Sequence, residues 1–156
     1  MMSAALNTEQ PFYADLLEQR RQQRTARQTL PVRTDEDVVA VRRLVRERAV
    51  AIALSLVDQT KLVTAASELA RNTIKYGGGG DVYLDALDDG LRKGVGMVFV
   101  DSGPGIPDLE LALRDGYTTG GGLGLGLSGS KRLADEFEIA TRVGEGTAVS
   151  IVKWKR

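Results

Sequence analysis

Glu68 and Asn72 stand four residues apart in a stretch where Leu62, Ala66, Leu69 and Thr73 recur at helical spacing. On a helix the carboxylate and the carboxamide share one face, beside the apolar stripe rather than opposite it. Both offer oxygens to a hard cation such as Mg²⁺, and the carboxylate can also handle a proton. Alone, the commoner reading is an ordinary surface pair, with Arg71 or Lys75 as the neighbouring charge. A second carboxylate, Asp101, ends the apolar run Val98-Phe-Val and is followed by Ser-Gly-Pro-Gly-Ile-Pro107. It can accept a hydrogen bond from an exocyclic amine such as that of adenine, and Gly103 and Gly105 let a planar ring approach the backbone. The same residues also read as a plain Asp-Ser-Gly-Pro turn.

The third feature is Thr118-Thr-Gly-Gly-Gly-Leu-Gly-Leu-Gly-Leu-Ser-Gly-Ser-Lys131. Backbone N–H groups of a glycine-rich loop entering a helix N-terminus form an anion site suited to phosphates. Gly124, Gly126 and Gly129 match G-x-G-x-x-G literally, but no strand precedes them as the dinucleotide fingerprint requires. A Walker A motif fails by one residue, because Ser130 stands between the last glycine and Lys131. Leu123, Leu125 and Leu127 interleave with the glycines, which argues against a flexible linker. The fourth feature, Gly144-Glu-Gly146-Thr147, is by itself only a hairpin turn.

The elements that must position these residues are legible as changes of period. Thr34 or Asp35 is an N-cap before an amphipathic helix running from Val38 to about Leu56. Asp58 can cap a second helix that Gly77–Gly80 ends. Asp81–Leu87 alternates as a strand, Val95–Val100 reads as a central strand, and Asp108–Arg114 as a short helical piece. Leu127–Phe137 reads as a helix, then Glu138–Val143 and Thr147–Lys153 as strands. Thr29–Arg33 reads as an edge strand, since Pro31 is tolerated there. This order implies an α+β fold with helices on one face of a mixed, mainly antiparallel sheet. Residues 1–29 read as a polar appendage and 30–156 as the folded domain. Asp15–Gln28 is rich in Gln, Arg and Glu and reads as a solvated helix; docking through Phe12, Tyr13, Leu16 and Leu17 is the alternative.

Composition removes many chemistries. The 156 residues hold 21 Lys+Arg and 21 Asp+Glu, with no His and no Cys. Zinc fingers, Fe–S clusters, thiol nucleophiles and Ser-His-Asp triads are therefore excluded. So is the eukaryotic-type protein kinase set, whose catalytic loop carries a His. Zero formal net charge gives no electrostatic reason to expect nucleic acid. No apolar run is long enough to span a membrane and Met1–Thr8 lacks a signal-peptide pattern, so cytoplasmic residence is expected.

Taken together and in order, the four features resemble the N, G1, G2 and G3 boxes of the GHKL superfamily, which holds histidine-kinase catalytic domains, type II topoisomerases, Hsp90 and anti-sigma kinases. Ser67-Glu-Leu-Ala-Arg-Asn72, Asp101–Pro107, Asp115-Gly-Tyr-Thr-Thr-Gly-Gly-Gly-Leu-Gly124 and Lys131-Arg-Leu-Ala-Asp-Glu-Phe137 look like the RsbT family of bacterial stress-response switch kinases. The resemblance runs from about Leu30 to Arg156. It implies the two-layer α/β sandwich of the Bergerat ATP-binding fold and a serine/threonine kinase using ATP and Mg²⁺. Glu68 would be the catalytic carboxylate and Asn72 the Mg²⁺ ligand. Asp101 would read the adenine amine, with Gly103, Gly105 and Thr147 shaping that pocket. Gly120, Gly121, Gly122, Leu123, Gly124 and Gly126 would wrap the phosphates, with Thr118, Thr119 and Lys131 close by. The implied acceptors are Ser or Thr of STAS-domain proteins, and the implied further partner is a PP2C-type phosphatase. An anti-sigma kinase that sequesters a sigma factor is the enzyme alternative. A binding module that uses nucleotide only to set its shape is the non-enzyme one.

Overall fold

The two most apolar strand patterns sit side by side at the centre of the molecule. The computed structural model describes residues 10–114 and 123–156. Within them the chain runs α1 (Ala14–Glu18), β1 (Arg24–Val32), α2 (Asp35–Ala51), α3 (Leu56–Lys75), β2 (Gly80–Asp88), β3 (Lys93–Asp101), α4 (Leu109–Ala112), α5 (Leu123–Leu133), β4 (Glu136–Arg142) and β5 (Gly146–Trp154). The sheet order is β1-β2-β3-β5-β4. The order of elements points to a mixed sheet, yet all four neighbouring pairs are antiparallel. The helical crossover from β3 does return β4 in the direction of β3, but β5 folds back into the gap, so no parallel pair forms.

Alternation along β3 and β5 splits the interior into two layers. Val95, Met97 and Phe99, with Val149 and Ile151, face the helices and join Val41 and Val45 of α2, Leu62, Ala66 and Leu69 of α3, and Leu127 of α5 in the main core. Val98, Val100 and Ala148 face the other way and are buried against Leu16 of α1, flanked by Phe12, Tyr13, Leu17, Tyr83 and Ala140. Burial on both faces is why Val95–Val100 reads as a continuous apolar run.

Several boundaries differ from the sequence reading. The solvated helix expected over Asp15–Gln28 is instead one helical turn followed by an edge strand, so the expected break at residue 29 falls inside β1. Cross-strand partners override local helix propensity here: Arg27 lies opposite Asp85 and forms a bidentate pair with it at 2.7 and 2.9 Å. The polar residues of this strand suit an exposed edge. Ser55, not Asp58, caps α3, accepting the Asp58 N–H at 3.1 Å. The last helix stops at Leu133 because Asp135 is drawn to the end of β5, where its carboxylate accepts the Trp154 N–H at 2.7 Å.

Of the two candidate caps for α2, Thr34 is the one used. Its hydroxyl accepts the Asp37 N–H while the Asp37 carboxylate accepts the Thr34 N–H, a reciprocal box that satisfies two orphan donors. Replacing Thr34 with Ala should cost about 1 kcal/mol, within the usual range for caps, read as a lower urea midpoint at unchanged slope. Full wild-type stability in Thr34→Ala would remove the cap from the account.

Candidate active site

Asp101 closes β3 at the point where the sheet ladder ends. Its Oδ1 accepts two backbone N–H groups, from Gly103 at 2.9 Å and from Thr147 at 3.2 Å. Its Oδ2 takes no hydrogen bond from the described residues, and Asp101 lines a cavity of about 150 Å³. Burial pushes the Asp101 carboxyl above its ordinary value, and the two N–H groups only partly offset this. Two glycines make room around it. A Cβ on Gly77 would lie 2.3 Å from the Asp101 carboxyl carbon, and one on Gly146 would lie 2.1 Å from the Asp101 carbonyl oxygen.

The cavity walls are apolar: Leu69 of α3, Phe99 of β3, Ile106, Leu127 of α5 and Val149 of β5. Asn72, Thr73, Tyr76, Asp101 and Thr147 are the polar lining residues with side-chain donors or acceptors, and the Thr73 hydroxyl is spent on the Leu69 carbonyl at 2.8 Å. Asn72 Nδ2 and the Tyr76 hydroxyl are buried without a hydrogen-bond partner among the described residues. Such orphaned groups cost about 1–3 kcal/mol each unless something satisfies them, so they point to a ligand. The amide orientation of Asn72 is an assignment, and a half-turn about its last bond presents the oxygen instead.

Thr147 has a definite polarity. Thr141 Oγ1 accepts the Ile106 N–H at 2.9 Å and has one proton, which goes to the Gly146 carbonyl at 3.1 Å. The 3.0 Å contact between the two threonines is then Thr147 donating to Thr141. That leaves the lone pairs of Thr147 to accept from a ligand. Gly105, at φ +79, comes so close to Arg142 that a Cβ would meet its carbonyl oxygen at 2.5 Å. The Gly144 N–H donates to the Pro104 carbonyl at 2.8 Å, so the hairpin turn and the Gly-Pro-Gly loop are stapled together.

Of the residues singled out in the sequence, the structure brings Asn72, Asp101, Gly105 and Thr147 to one cavity, with Gly103 turned against Tyr76 and Gly77 behind it. Glu68 does not line it. Its half-exposed carboxylate accepts from Arg71 at 3.2 Å, the surface pair that the spacing also allowed. Lys131 is exposed on α5. Leu123, Gly124 and Gly126 fall in the first turn of α5, while Thr118, Thr119, Gly120, Gly121 and Gly122 lie outside the described residues. Tyr76 and Gly77 were missed. Tyr76 follows Asn72 by four residues and so shares its helical face, which was the available signal.

Residues 57–156 match the family model described as histidine kinase-, DNA gyrase B- and HSP90-like ATPase. The chain belongs to this ATPase family. It is 44% identical over 125 residues to the serine/threonine-protein kinase RsbT of Bacillus subtilis, covering 80% of this chain and 94% of that one. It is 31% identical over 106 residues to an anti-sigma F factor of Anoxybacillus flavithermus, covering 64% and 71%. Among solved structures it resembles the RsbU and RsbW domains of a Mycobacterium tuberculosis protein, with a TM-score of 0.58 at 21% identity. That match covers 85% of this chain and a third (33%) of the other, and it shows the shared α+β fold. Membership of the ATPase family implies ATP as the nucleotide. No helix among the described residues is long and apolar enough to cross a membrane.

The raised pKa of Asp101 has a sign that can be read in solution. The folded state holds this proton more tightly than the unfolded one, so its contribution to stability is lost as pH rises from the ordinary value of 3.8 through the raised one. In Asp101→Asn that loss is absent. Urea titrations at stepped pH should therefore show the variant gaining on wild type across this window and then holding a constant offset. Parallel curves would refute the buried-carboxylate assignment.

Proposed function

We propose that this protein is an ATP-dependent serine/threonine kinase of a partner-switching stress module, acting on Ser or Thr of STAS-domain proteins. The observation that carries the reading is the convergence on one cavity of Asp101, Asn72 and Tyr76, each with a polar atom that has no hydrogen-bond partner among the described residues. Asp101 Oδ2 accepts the adenine amine, and Thr147 accepts beside it. Phe99, Ile106 and Val149 cover the ring. The phosphates lie toward Asn72 and the N-terminus of the 11-residue α5, where free N–H groups and the helix dipole favour anions.

Among the described residues no cluster of three or more His, Cys, Asp or Glu could cage a metal. The Asn72 carboxamide suits Mg²⁺, which typically takes one or two protein oxygens and completes its shell with substrate phosphates and water. Bound there, Mg²⁺ would neutralise charge on the transferring phosphoryl group. Glu68, one helical turn before Asn72, orients or deprotonates the attacking hydroxyl. The similarity to RsbT also supports association with a PP2C-type phosphatase after the acceptor is released. The 31% identity to an anti-sigma factor favours a second reading, in which the same site serves a kinase that holds a sigma factor. The outward pairing of Glu68 with Arg71 favours a third, a binding module without transfer.

Single-turnover phosphorylation of a STAS-domain acceptor, run beside ATP titrations, separates these. Asn72→Ala should weaken Mg²⁺-dependent binding and transfer together. Glu68→Ala should leave ATP affinity near wild type while transfer falls by about 10²–10⁴. Asp101→Asn should lose about 1.5–3 kcal/mol of ATP binding, and GTP should stabilise wild type less than ATP in thermal shift. Wild-type transfer by Glu68→Ala would remove it from the chemistry, and no transfer by the wild type itself would favour the binding module.

A further inference from the structure

The strands that build the cavity have a second face, and that face is covered by the N-terminal segment. On β3, Phe99 and Asp101 point to the cavity while Val98 and Val100 point to the N-terminal segment; on β5, Thr147 and Val149 point to the cavity while Ala148 points to the N-terminal segment. Val100 and Ala148 form the last paired position of the β3–β5 ladder on the cavity side. One residue further on, the Thr147 N–H is bound by the Asp101 side chain instead. Leu16 sits behind the Gly96–Val152 and Val98–Ser150 rungs, and the apolar cluster it shares with Phe12 and Tyr13 extends to Val100 and Ala148, the final rung before the nucleotide-reading carboxylate.

The hold of this strap is narrow. α1 is one turn of five residues with one buried side chain, Leu16, and is preceded by an edge-to-face pair of Phe12 and Tyr13. Its C-terminal carbonyl at Leu17 is capped by two guanidinium groups, from Arg24 at 2.9 Å and Arg27 at 2.7 Å. Arg20 reaches Glu136 of β4 at 2.6 Å, and Gln19 bonds Glu138. Arg20 sits at φ +91, a left-handed conformation uncommon outside glycine that the docked contacts must sustain. A segment with so few anchors opens locally at far lower cost than the whole domain.

We propose that the docked strap is a positioning element for nucleotide: it holds the ends of β3 and β5 so that Asp101 and Thr147 keep their places, and nucleotide in turn favours the docked strap. This rests on the cavity being the nucleotide site. Linkage makes the effect reciprocal, so the factor by which docking tightens ATP is the factor by which ATP favours docking.

The test uses the full chain. Leu16→Asp should weaken ATP binding by about tenfold, toward the low end of typical couplings, while the transfer rate at saturating ATP stays near wild type. Leu16→Met should bind like wild type. In wild type, Arg20 is held by Glu136 in the docked strap, so tryptic cutting after Arg20 requires the strap to open, and a non-hydrolysable ATP analogue should slow that cut by a similar factor. This measurement needs no variant and stands if Leu16→Asp fails to fold. Normal ATP affinity in Leu16→Asp, or tryptic cutting in wild type that is indifferent to the analogue, overturns the proposal while leaving the nucleotide site intact. Failure of wild type to bind ATP overturns the nucleotide reading and this proposal together.

Discussion

A single carboxylate oxygen fastens the working end of this molecule. Asp101 Oδ1 gathers the N–H of Gly103, from the loop that follows β3, and the N–H of Thr147, from the start of β5. Those two bonds fix where the Gly-Pro-Gly loop leaves the sheet and where the last hairpin rejoins it. Both matter because the ladder between β3 and β5 has run out there, and a buried N–H without a partner is costly. The price is the desolvation of a carboxylate, visible in its raised pKa. Tight glycines follow from the same constraint: Gly77 and Gly146 pass so near Asp101 that a side chain would overlap it. With Oδ1 committed to structure, Oδ2 is the atom left to recognise something else.

The strong periodic segments were legible in the sequence because burial follows a fixed geometry. Val38, Val41, Val45 and Ala49 repeat at helical steps and are all buried on α2. Val95–Val100 lies on the central strand, and Asp101 falls at its end as its position after an apolar run suggests. What was not legible depended on distant partners. Nothing local in Arg24–Gln28 announces a strand; its partner Asp85 lies 58 residues along the chain from Arg27. Nothing in Gly144–Thr147 says that the turn is stapled to Pro104 and to Asp101. The cavity residues that were read from motifs, Asn72, Asp101, Gly105 and Thr147, converge. Tyr76 and Gly77 were missed because they act through proximity to Asn72 and Asp101 rather than through a residue type that carries chemistry by itself.

The N-terminal segment shows how one sheet comes to be dry on both sides. A five-stranded antiparallel sheet with helices on one face ordinarily wets the other, and its strands then alternate apolar with polar. Here Val98, Val100 and Ala148 break that alternation. An apolar far face requires a cover, and Phe12, Tyr13, Leu16 and Leu17 are the apolar residues of a segment otherwise full of Gln and Arg. Those polar residues are used as well. Arg20, Arg24 and Arg27 each satisfy a carboxylate or a carbonyl at the rim of the contact, with their stems packed along it.

The position of Glu68 is the point on which structure and function are most easily set against each other, and energetics reconciles them. Its carboxylate points to Arg71, both side chains are about half exposed, and i,i+3 pairs of this kind are worth about 0.2–1 kcal/mol. An interaction that weak does not hold a flexible side chain against a better partner. Asn72 is different. Its Nδ2 is buried without a partner among the described residues, and the residue lines the cavity together with Leu69 and Phe99. A group that binds ground-state nucleotide must be preorganised, because every ångström of slack is lost affinity. A group that acts on the incoming hydroxyl needs its geometry only when acceptor and nucleotide are both present, and such contacts commonly tighten only then. A buried, orphaned Asn72 Nδ2 beside a loosely tethered Glu68 is therefore compatible with the proposed division of labour between binding and transfer.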